Sequence, residues 1–392
     1  MKSQINKKAV QFISIILVLL ISKSVVFAYP PDNAAVLYYR SAYTFTYDSK
    51  KISLVKQYLD SEIENNQEII DYVLRSEHAM KQFIDAGNGK YCDWGLDYSE
   101  GMNLLAPPLA EFRALSWIVL ADAKMANEAA EYDRAIDLCI SNYQAAAYIA
   151  DGALLVSRLV GIAMYNYTNQ VIIDILPNIA DNPDVLTRLK NQIDEVSQGF
   201  PSLKTSIKTD LEICIDDINK ESIQNLIITA GDTVLSIPEN IDQILENADE
   251  GFIESNKEYM LKLLGDCLAA TDLPYPQAYK KLDELIKKPE IESKENSDAV
   301  LATFLMPALV KVLSVDVRYT THFNAIQTAL NLYINRTETG KLPDKLPEGM
   351  PKDMFSGEDF IYEKTDDGFV LKCQGKDLSK DETYEYKFKV KK

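Results

Sequence analysis

The sequence predicts a mainly α-helical protein, with antiparallel helical hairpins in a multi-helix array and a small antiparallel β-meander after a long helix near the C-terminus. Between Asn33 and about Ser314, apolar residues recur at intervals of three and four, which is the period of a helix with one buried face. After Asn335 the pattern changes to turns rich in Gly and Pro, followed by short segments in which apolar and polar residues alternate. Together these patterns predict a helical region followed by a small sheet.

Several predicted helices have a recognisable start. Prolines at 183, 201, 238 and 276 stand in first turns, where the missing N–H is tolerated because those N–H groups have no partner within the helix. The connections are short, so neighbouring helices are expected to pack antiparallel. In chain order, the predicted helices are residues 34–45, 52–62, 67–85, 108–129, 132–150, 153–176, 183–198, 201–219, 223–230, 238–247, 251–270, 276–287 and 297–334.

Three short strands are predicted after the long helix, at residues 360–364, 369–373 and 384–391. Residues 365–368, Thr-Asp-Asp-Gly, are a hairpin signal because Asp and Gly accept the positive φ angles of such turns. In the last strand, aromatic and apolar residues alternate with Glu and Lys. This alternation predicts one buried face and one solvent-exposed face.

The first 28 residues have the features of a secretory signal peptide that is cleaved after Ala28. Lysines at 2, 7 and 8 precede an apolar core at residues 12–21, and Val26 and Ala28 fit the positions before a cleavage site. The apolar core is shorter than the roughly 20 residues that a helix needs to span a bilayer. We therefore expect an exported protein, periplasmic or extracellular, with no stable membrane insertion after cleavage; the alternative is that the segment is kept as an uncleaved anchor. The predicted division is 1–28 signal peptide, 29–296 helical domain, and 297–392 long helix with β subdomain.

Charge and cysteine usage narrow the function classes. The net charge of −18 gives a surface that repels nucleic acid, so no nucleic-acid partner is expected. Of the five cysteines, Cys139, Cys214 and Cys267 stand among apolar residues and are expected to be buried free thiols, whereas Cys92 lies in a polar loop and is expected to be exposed or paired. With two histidines and no CxxC pair, the sequence predicts no metal site and no cofactor.

The best candidate site is the loop at residues 87–101. It holds the carboxylates Asp93, Asp97 and Glu100 beside Trp94 and Tyr98. Carboxylates with aromatic rings suit a calcium ion, which takes about six to eight oxygen ligands, or a sugar that stacks on a ring and hydrogen-bonds to acids. A structural role competes with both, because Asp often caps helices and a Trp can anchor a long loop to the core.

Tyrosine is abundant, with 22 residues. Tyr39, Tyr43 and Tyr47 follow one another at intervals of four along the first predicted helix and its continuation, and helical spacing would place them on one face. That face suits packing against neighbouring helices, or a stacking groove for a glycan or a peptide.

The C-terminal segment resembles the globular part of type II secretion pseudopilins, in which a helix leads into a Gly-Tyr/Leu-Pro turn, an Asp-Pro-Trp/Phe-Gly passage and a β-meander. The matching residues are 340–343, Gly-Lys-Leu-Pro, and 351–357, Pro-Lys-Asp-Met-Phe-Ser-Gly, followed by 359–362 and 367–371. The rest of the chain resembles an uncharacterised family of exported bacterial helical proteins, marked by residues 33–40, 92–98 and 154–164. These resemblances imply export and a pseudopilin-like fold for the tail.

The sequence favours binding over catalysis. It contains no Gly-x-Ser-x-Gly, no HExxH and no glycine-rich phosphate loop. We expect an exported, non-catalytic binding or scaffold protein of the bacterial envelope, with a protein or glycan partner. One alternative is a glycan-acting hydrolase that uses the carboxylates of the 87–101 loop, one of them as a general acid of raised pKa. Another is an accessory of a type II secretion or pseudopilus system.

Overall fold

The computed structural model describes residues 32–152, 154–224, 243–244, 246, 248–306 and 309–390. The predicted signal peptide lies outside these residues, as do most of the helices predicted at 223–230 and 238–247. Within the described residues the protein is mainly helical and ends in a small antiparallel sheet after a long helix, which confirms the predicted fold class.

The helices and strands are α1 (Ala34–Thr44), α2 (Ser49–Leu59), α3 (Gln67–Arg75), α4 (Glu77–Ala86), α5 (Leu109–Glu128), α6 (Tyr132–Ala150), α7 (Leu155–Ile179), α8 (Pro183–Ser197), α9 (Leu203–Asp216), α10 (Glu250–Ala270), α11 (Tyr275–Glu292), α12 (Ala302–Leu305), α13 (Leu309–Thr339), β1 (Ile361–Thr365), β2 (Gly368–Lys372) and β3 (Glu385–Lys389). Two 3₁₀ helices cover Tyr98–Asn103 and Ser297–Ala299.

Polar side chains fix where the first three helices begin. The side chains of Asn33, Asp48 and Asn66 accept hydrogen bonds from backbone N–H groups in the first turns of α1, α2 and α3. These N–H groups have no partner within the helix, so each cap stabilises its helix start.

Two helices, α3 and α4, replace the single helix predicted at 67–85. The chain turns at Ser76, whose ψ angle is −2° and whose hydroxyl donates to the carbonyl oxygen of Tyr72 at 2.9 Å. A serine hydroxyl that competes for a backbone acceptor favours such an interruption.

The centre of the core is formed by α5, α6 and α7, which pack against one another. Buried alanines on α5 and α6 allow this close packing. At Gly161 of α7, an added Cβ would lie 2.7 Å from the carbonyl oxygen of Ala146 and 2.8 Å from the Cβ of Ala150. The contact between α6 and α7 therefore requires glycine at this position.

The helix predicted at 297–334 is interrupted. The 3₁₀ helix Ser297–Ala299 and the short α12 precede α13. Pro307 lies between α12 and α13 in the sequence, and a proline inside a helix removes a backbone hydrogen bond. Asn256 of α10 holds the segment between the 3₁₀ helix and α12, because its Nδ2 donates to the carbonyl oxygen of Ser297 and its Oδ1 accepts the backbone N–H of Leu301, both at 3.0 Å.

The β-meander has the strand order β1-β2-β3, with both pairs antiparallel. Thr365 pairs with Gly368, so residues 366–367 form the two-residue turn of the predicted hairpin. In β3, Tyr386 and Phe388 are buried and the three charged residues that alternate with them are exposed, as predicted. Register and buried face therefore both follow from the alternation in the sequence.

Two fully buried carboxylates, Asp353 and Asp377, order the turns of the C-terminal segment. Asp353 Oδ2 accepts the backbone N–H groups of Gln374 and of the next residue, both at 2.8 Å. Asp377 accepts hydrogen bonds from Nε of Arg318 in α13 at 3.0 Å and from the hydroxyl of Tyr275 in α11 at 3.3 Å. These bonds fix the C-terminal segment on two helices.

The domain boundary predicted between residues 296 and 297 stays a prediction.

No helix in the described part of the chain is both long enough and apolar enough to cross a membrane. All five cysteines lie in the described residues, and none of them is paired. Cys139 and Cys267 are buried as predicted, whereas Cys214 is half-buried. Cys92 is also half-buried, because it packs against the core, and so it is neither the exposed nor the paired thiol that was expected.

Candidate functional site

The loop at residues 87–101 is tied to the start of α1. Asn33 Oδ1 accepts the backbone N–H of Asp93 at 2.9 Å, and Asn33 Nδ2 donates to the carbonyl oxygen of Asp93 at 3.0 Å. The backbone N–H of Ala34 donates to the carbonyl oxygen of Tyr91 at 2.9 Å. These hydrogen bonds make the loop a fixed extension of α1.

Trp94 anchors the same loop in the core. Its side chain is 7% exposed, and its Nε1 donates to the carbonyl oxygen of Tyr148 at 3.0 Å. Its ring centroid lies 5.7 Å from that of Tyr38 and 5.4 Å from that of Phe112. The hydroxyl of Tyr39 donates to the carbonyl oxygen of Trp94 at 3.0 Å. The indole therefore belongs to the core and offers no open face to a ligand.

The three carboxylates of the loop are exposed. Asp93 and Asp97 each accept the backbone N–H of the second residue after them, those of Gly95 and Ser99. This is the geometry of an Asx turn. Asp97 also accepts the Ser99 hydroxyl at 2.6 Å and caps the 3₁₀ helix in which Glu100 lies. Two of the three carboxylates thus shape the backbone of the loop, as the structural alternative expects.

The electrostatics of Asp97 differ from those of a proton donor. Hydrogen bonds from the hydroxyl and the backbone N–H of Ser99 hold the pKa of Asp97 below its ordinary value. A carboxyl that acts as a general acid near neutral pH needs a raised pKa, so Asp97 is set up as a stable anion. In the described residues, no three His, Cys, Asp or Glu side chains are grouped so that they could hold a metal ion. Asp93, Asp97 and Glu100 are therefore not grouped as three metal ligands in the structure.

Five exposed tyrosines lie on α1, on the link that follows it, and on the loop. Their side chains are exposed to different degrees: Tyr43 92%, Tyr47 51%, Tyr91 48%, Tyr98 47% and Tyr39 37%. We call these five residues the tyrosine surface. Large aromatic side chains normally contribute buried area, so several exposed rings on two hydrogen-bonded segments make this the candidate interaction surface.

Tyr39, Tyr43 and Tyr47 were predicted to share one helical face, and this is correct for two of the three. Tyr39 and Tyr43 are one turn apart on α1, but the helix ends at Thr44 and Tyr47 lies in the link to α2. The chain leaves the helix because Phe45 adopts an extended conformation, with ψ 130°, and buries its ring 6.4 Å from that of Tyr72. Tyr47 is therefore displaced from the helical face that the spacing predicted.

Asp151 adds a carboxylate that the sequence analysis did not single out. It follows the last residue of α6, and burial raises its pKa. Burial raises the pKa of Tyr98 as well, and the charges of Asp151 and Asp93 raise it further, so both carboxylates lie near this phenol. The sequence signal was an acid at the C-terminal end of an apolar helix, where the helix dipole disfavours negative charge.

The two histidines of the chain lie on other elements, α4 and α13. His322 stacks on Tyr386 with ring centroids 4.9 Å apart, and burial lowers the pKa of His322 to about 4. His78 Nε2 lies 2.6 Å from the side-chain amide of Gln82. Both histidines therefore have structural partners, and the loop combines phenols and carboxylates without an imidazole.

No protein-family model, curated protein or solved structure matches this chain. The candidate site is therefore defined by its own geometry, in which a helix and a loop held together by Asn33 and Trp94 present exposed tyrosines beside surface carboxylates.

Proposed function

We propose that this protein is an exported, non-catalytic binding protein of the bacterial envelope, and that its tyrosine surface and the adjoining carboxylates bind a glycan chain. The observation that carries the proposal is the exposure of five tyrosines on backbone that is fixed by side-chain hydrogen bonds. Export is supported by the signal-peptide pattern of the first 28 residues.

The chemistry of this surface suits a carbohydrate. A phenol ring packs against the apolar face of a sugar ring, and the exposed carboxylates of Asp93 and Asp97 accept hydrogen bonds from sugar hydroxyls. Because the loop is already held by Asn33 and Trp94, little conformational entropy is lost when a ligand binds. The lowered pKa of Asp97 keeps it an acceptor at the pH of the envelope.

A thermal-shift screen of the purified chain against cell-wall and polysaccharide fragments tests the proposal. Binding to the folded state adds about 2.7 kcal/mol of stability at a ligand concentration 100 times the dissociation constant, which raises the melting temperature measurably. We expect one glycan class to raise it in the native chain and to raise it clearly less in Tyr43→Ala. Ile291→Ala, which removes another exposed apolar side chain, is the matched control and is expected to keep the shift.

A pull-down from envelope extracts separates a glycan from a protein partner. A protein that is retained by the native chain, lost with Tyr43→Ala and accompanied by no glycan shift would assign the surface to a protein partner and contradict the glycan proposal. If no glycan shifts the melting temperature and no protein is retained, a binding role for this surface is contradicted.

A second candidate, an accessory role in a type II secretion or pseudopilus system, is supported by the order of elements at the C-terminus. A long helix, a turn held by Asp353 and a three-stranded meander follow one another in the segment whose sequence resembles pseudopilins. Copurification of secretion-system subunits with the chain, lost when exposed Ile361 on edge strand β1 is replaced by Lys, would support this role. Copurification that is unchanged by Ile361→Lys, or none at all, would count against it.

A further inference from the structure

A cavity of about 420 Å³ lies where four segments meet: the start of α9, the connection between α10 and α11, the middle of α13, and the turn after Asp353. None of its lining residues belongs to the tyrosine surface. Its size falls within the range of about 300–1,000 Å³ that is usual for small-molecule sites. It also lies between the predicted regions 29–296 and 297–392, and such sites are common where two domains meet.

The walls of this cavity are mostly apolar. Leu203, Leu313 and Val317 line it and are buried, and Met354 and Leu273 line it with partly exposed side chains. Five apolar side chains from four segments leave room for an apolar body that would lose its contact with water on binding.

The largely buried charged group that lines the cavity is the carboxylate of Asp316; the buried hydroxyl of Tyr275 also lies in the wall and bonds to Asp377 and to the backbone N–H of Leu378. Asp316 pairs with Arg158 of α7, and the side chains are 15% and 4% exposed, respectively. Arg158 donates through both Nε, at 3.1 Å, and Nη2 to the same oxygen, Asp316 Oδ1. Its remaining nitrogen, Nη1, donates to the carbonyl oxygen of Pro201. Each of the three guanidinium nitrogens thus donates a hydrogen bond, and the two bonds to Asp316 fix the orientation of the carboxylate.

The second oxygen, Asp316 Oδ2, accepts no hydrogen bond from any residue that the structure describes. Burial raises the pKa of Asp316, and the charge and hydrogen bonds of Arg158 act in the opposite direction. A carboxylate oxygen that is oriented, partly desolvated and without a donor is a strong acceptor for a ligand.

The charges around the cavity cancel. Lys204 and Asp272, at the mouth, form an ion pair with a 2.5 Å distance between Nζ and Oδ2. Asp316 is balanced by Arg158 in the same way. With each acid paired to a base, the site gives neither an anion nor a cation a net electrostatic gain, and it favours a neutral ligand.

We infer that this cavity is a binding site for a neutral small molecule with an apolar body and one hydroxyl or amide N–H group, which donates to Asp316 Oδ2. The apolar body lies against Leu313, Val317 and Met354.

The probe is benzyl alcohol, and the full chain carries ¹³C-labelled methionine methyl groups. We expect benzyl alcohol to shift the methyl signal of Met354 in NMR spectra until saturation and to leave that of Met80, in α4, unchanged. Benzyl methyl ether keeps the ring and lacks the donor, so we expect it to bind about tenfold more weakly, as for the loss of a hydrogen bond to a charged group. Benzoate and benzylammonium are expected to bind more weakly than the alcohol.

Two variants close the cavity from different segments, Thr320→Phe on α13 and Leu273→Trp at the rim, and both are expected to abolish the Met354 shift. Leu74→Trp, on α3, is the control for an added exposed indole and is expected to keep the shift. If Thr320→Phe does not fold, Leu273→Trp alone decides, since Leu273 is 41% exposed. The inference is overturned if Met354 does not respond, if the ether binds as tightly as the alcohol, if a charged probe binds more tightly, or if Leu273→Trp retains the shift.

Discussion

Asn33 binds Asp93 through both atoms of its side-chain amide, although 60 positions separate the two residues in the sequence. The same Asn33 Oδ1 accepts the backbone N–H of Ala35 in the first turn of α1. One side chain therefore caps a helix and fixes the candidate loop, so the stability of α1 and the position of the loop are coupled.

Replacing Asn33 with Ala is expected to lower the free energy of unfolding by about 1–2 kcal/mol, because the cap and the bonds to Asp93 are lost together. It should also speed cleavage by chymotrypsin at Tyr91 and Tyr98, because the loop is released. Urea unfolding and limited proteolysis measure the two effects. Asn66→Ala removes only the cap of α3, so it should lower stability without changing cleavage of the loop. Equal cleavage rates in Asn33→Ala and Asn66→Ala would contradict the coupling.

The anchoring role of Trp94 predicts an asymmetry between the two tryptophans of the chain. Trp94→Phe leaves the carbonyl oxygen of Tyr148 without its indole donor, and we expect a loss of about 1–3 kcal/mol in urea unfolding. Trp117 is comparably buried, but its Nε1 has no hydrogen-bond partner in the described structure. Trp117→Phe is therefore expected to lose less unfolding free energy than Trp94→Phe. A larger loss for Trp117→Phe, or an unchanged stability for Trp94→Phe, would contradict the anchor.

His322 makes stability depend on pH. Its pKa is about 4 in the folded protein, because of burial, and about 6.5 in the unfolded chain. The unfolded chain therefore binds a proton first as pH falls, so stability that is present above about pH 6.5 is lost progressively down to about pH 4, by about 2–3 kcal/mol. Unfolding free energies measured between pH 4 and 7 should lose this slope in His322→Phe. The control His78→Phe should keep it, and the same slope in both variants would show that another group is responsible.

The buried carboxylate of Asp377 is expected to make a second contribution to stability that is lost in acid. Although burial alone raises its pKa, the hydrogen bonds from Ser379 and from Arg318 hold it below its ordinary value. The contribution is therefore present above about pH 4 and is lost as pH falls through the lower folded pKa. Asp377→Asn is expected to cost about 3 kcal/mol at pH 7, because Arg318 loses its charged partner. Asp381→Asn, whose side chain is 86% exposed, is the control, and an equal loss there would contradict the proposed anchoring.

Features that depend on local pattern could be predicted from the sequence. The three strands lie within two residues of their predicted positions at every end, because the alternation around Tyr386 and Phe388 and the turn at residues 366–367 are local signals. The periodicity likewise placed most helices. Pro183 and Pro276 stand in first turns as predicted, whereas Pro201 precedes the cap of α9 and Pro238 lies outside the described residues. The break at Ser76 was missed because a serine inside a periodic stretch carries no strong stop signal.

The geometry of the candidate site depends on partners that are distant in the sequence. No periodicity in the sequence indicates the hydrogen bonds between Asn33 and Asp93. The same is true of the ion pair between Arg158 and Asp316, which are 158 positions apart. Arg158 was visible as a charge in an apolar helical stretch, which indicates a buried partner, but the identity of the partner follows only from the fold. Tyr98 and Asp93 were identified from the grouping of carboxylates and aromatic residues in the 87–101 loop, and their neighbour Asp151 was not.

The central claim is that the tyrosine surface binds a ligand while the core beneath it only supports it. The most direct measurement is the dissociation constant of the glycan class found in the thermal-shift screen, determined by calorimetry for the native chain, Tyr43→Ala, Tyr91→Ala and Leu74→Ala. We expect each tyrosine variant to bind about two- to tenfold more weakly with an unchanged melting temperature, because a lost ring contact removes about 0.5–1.5 kcal/mol. Leu74→Ala, which changes an exposed side chain of α3, should bind like the native chain. Unchanged affinity in both tyrosine variants would contradict the claim.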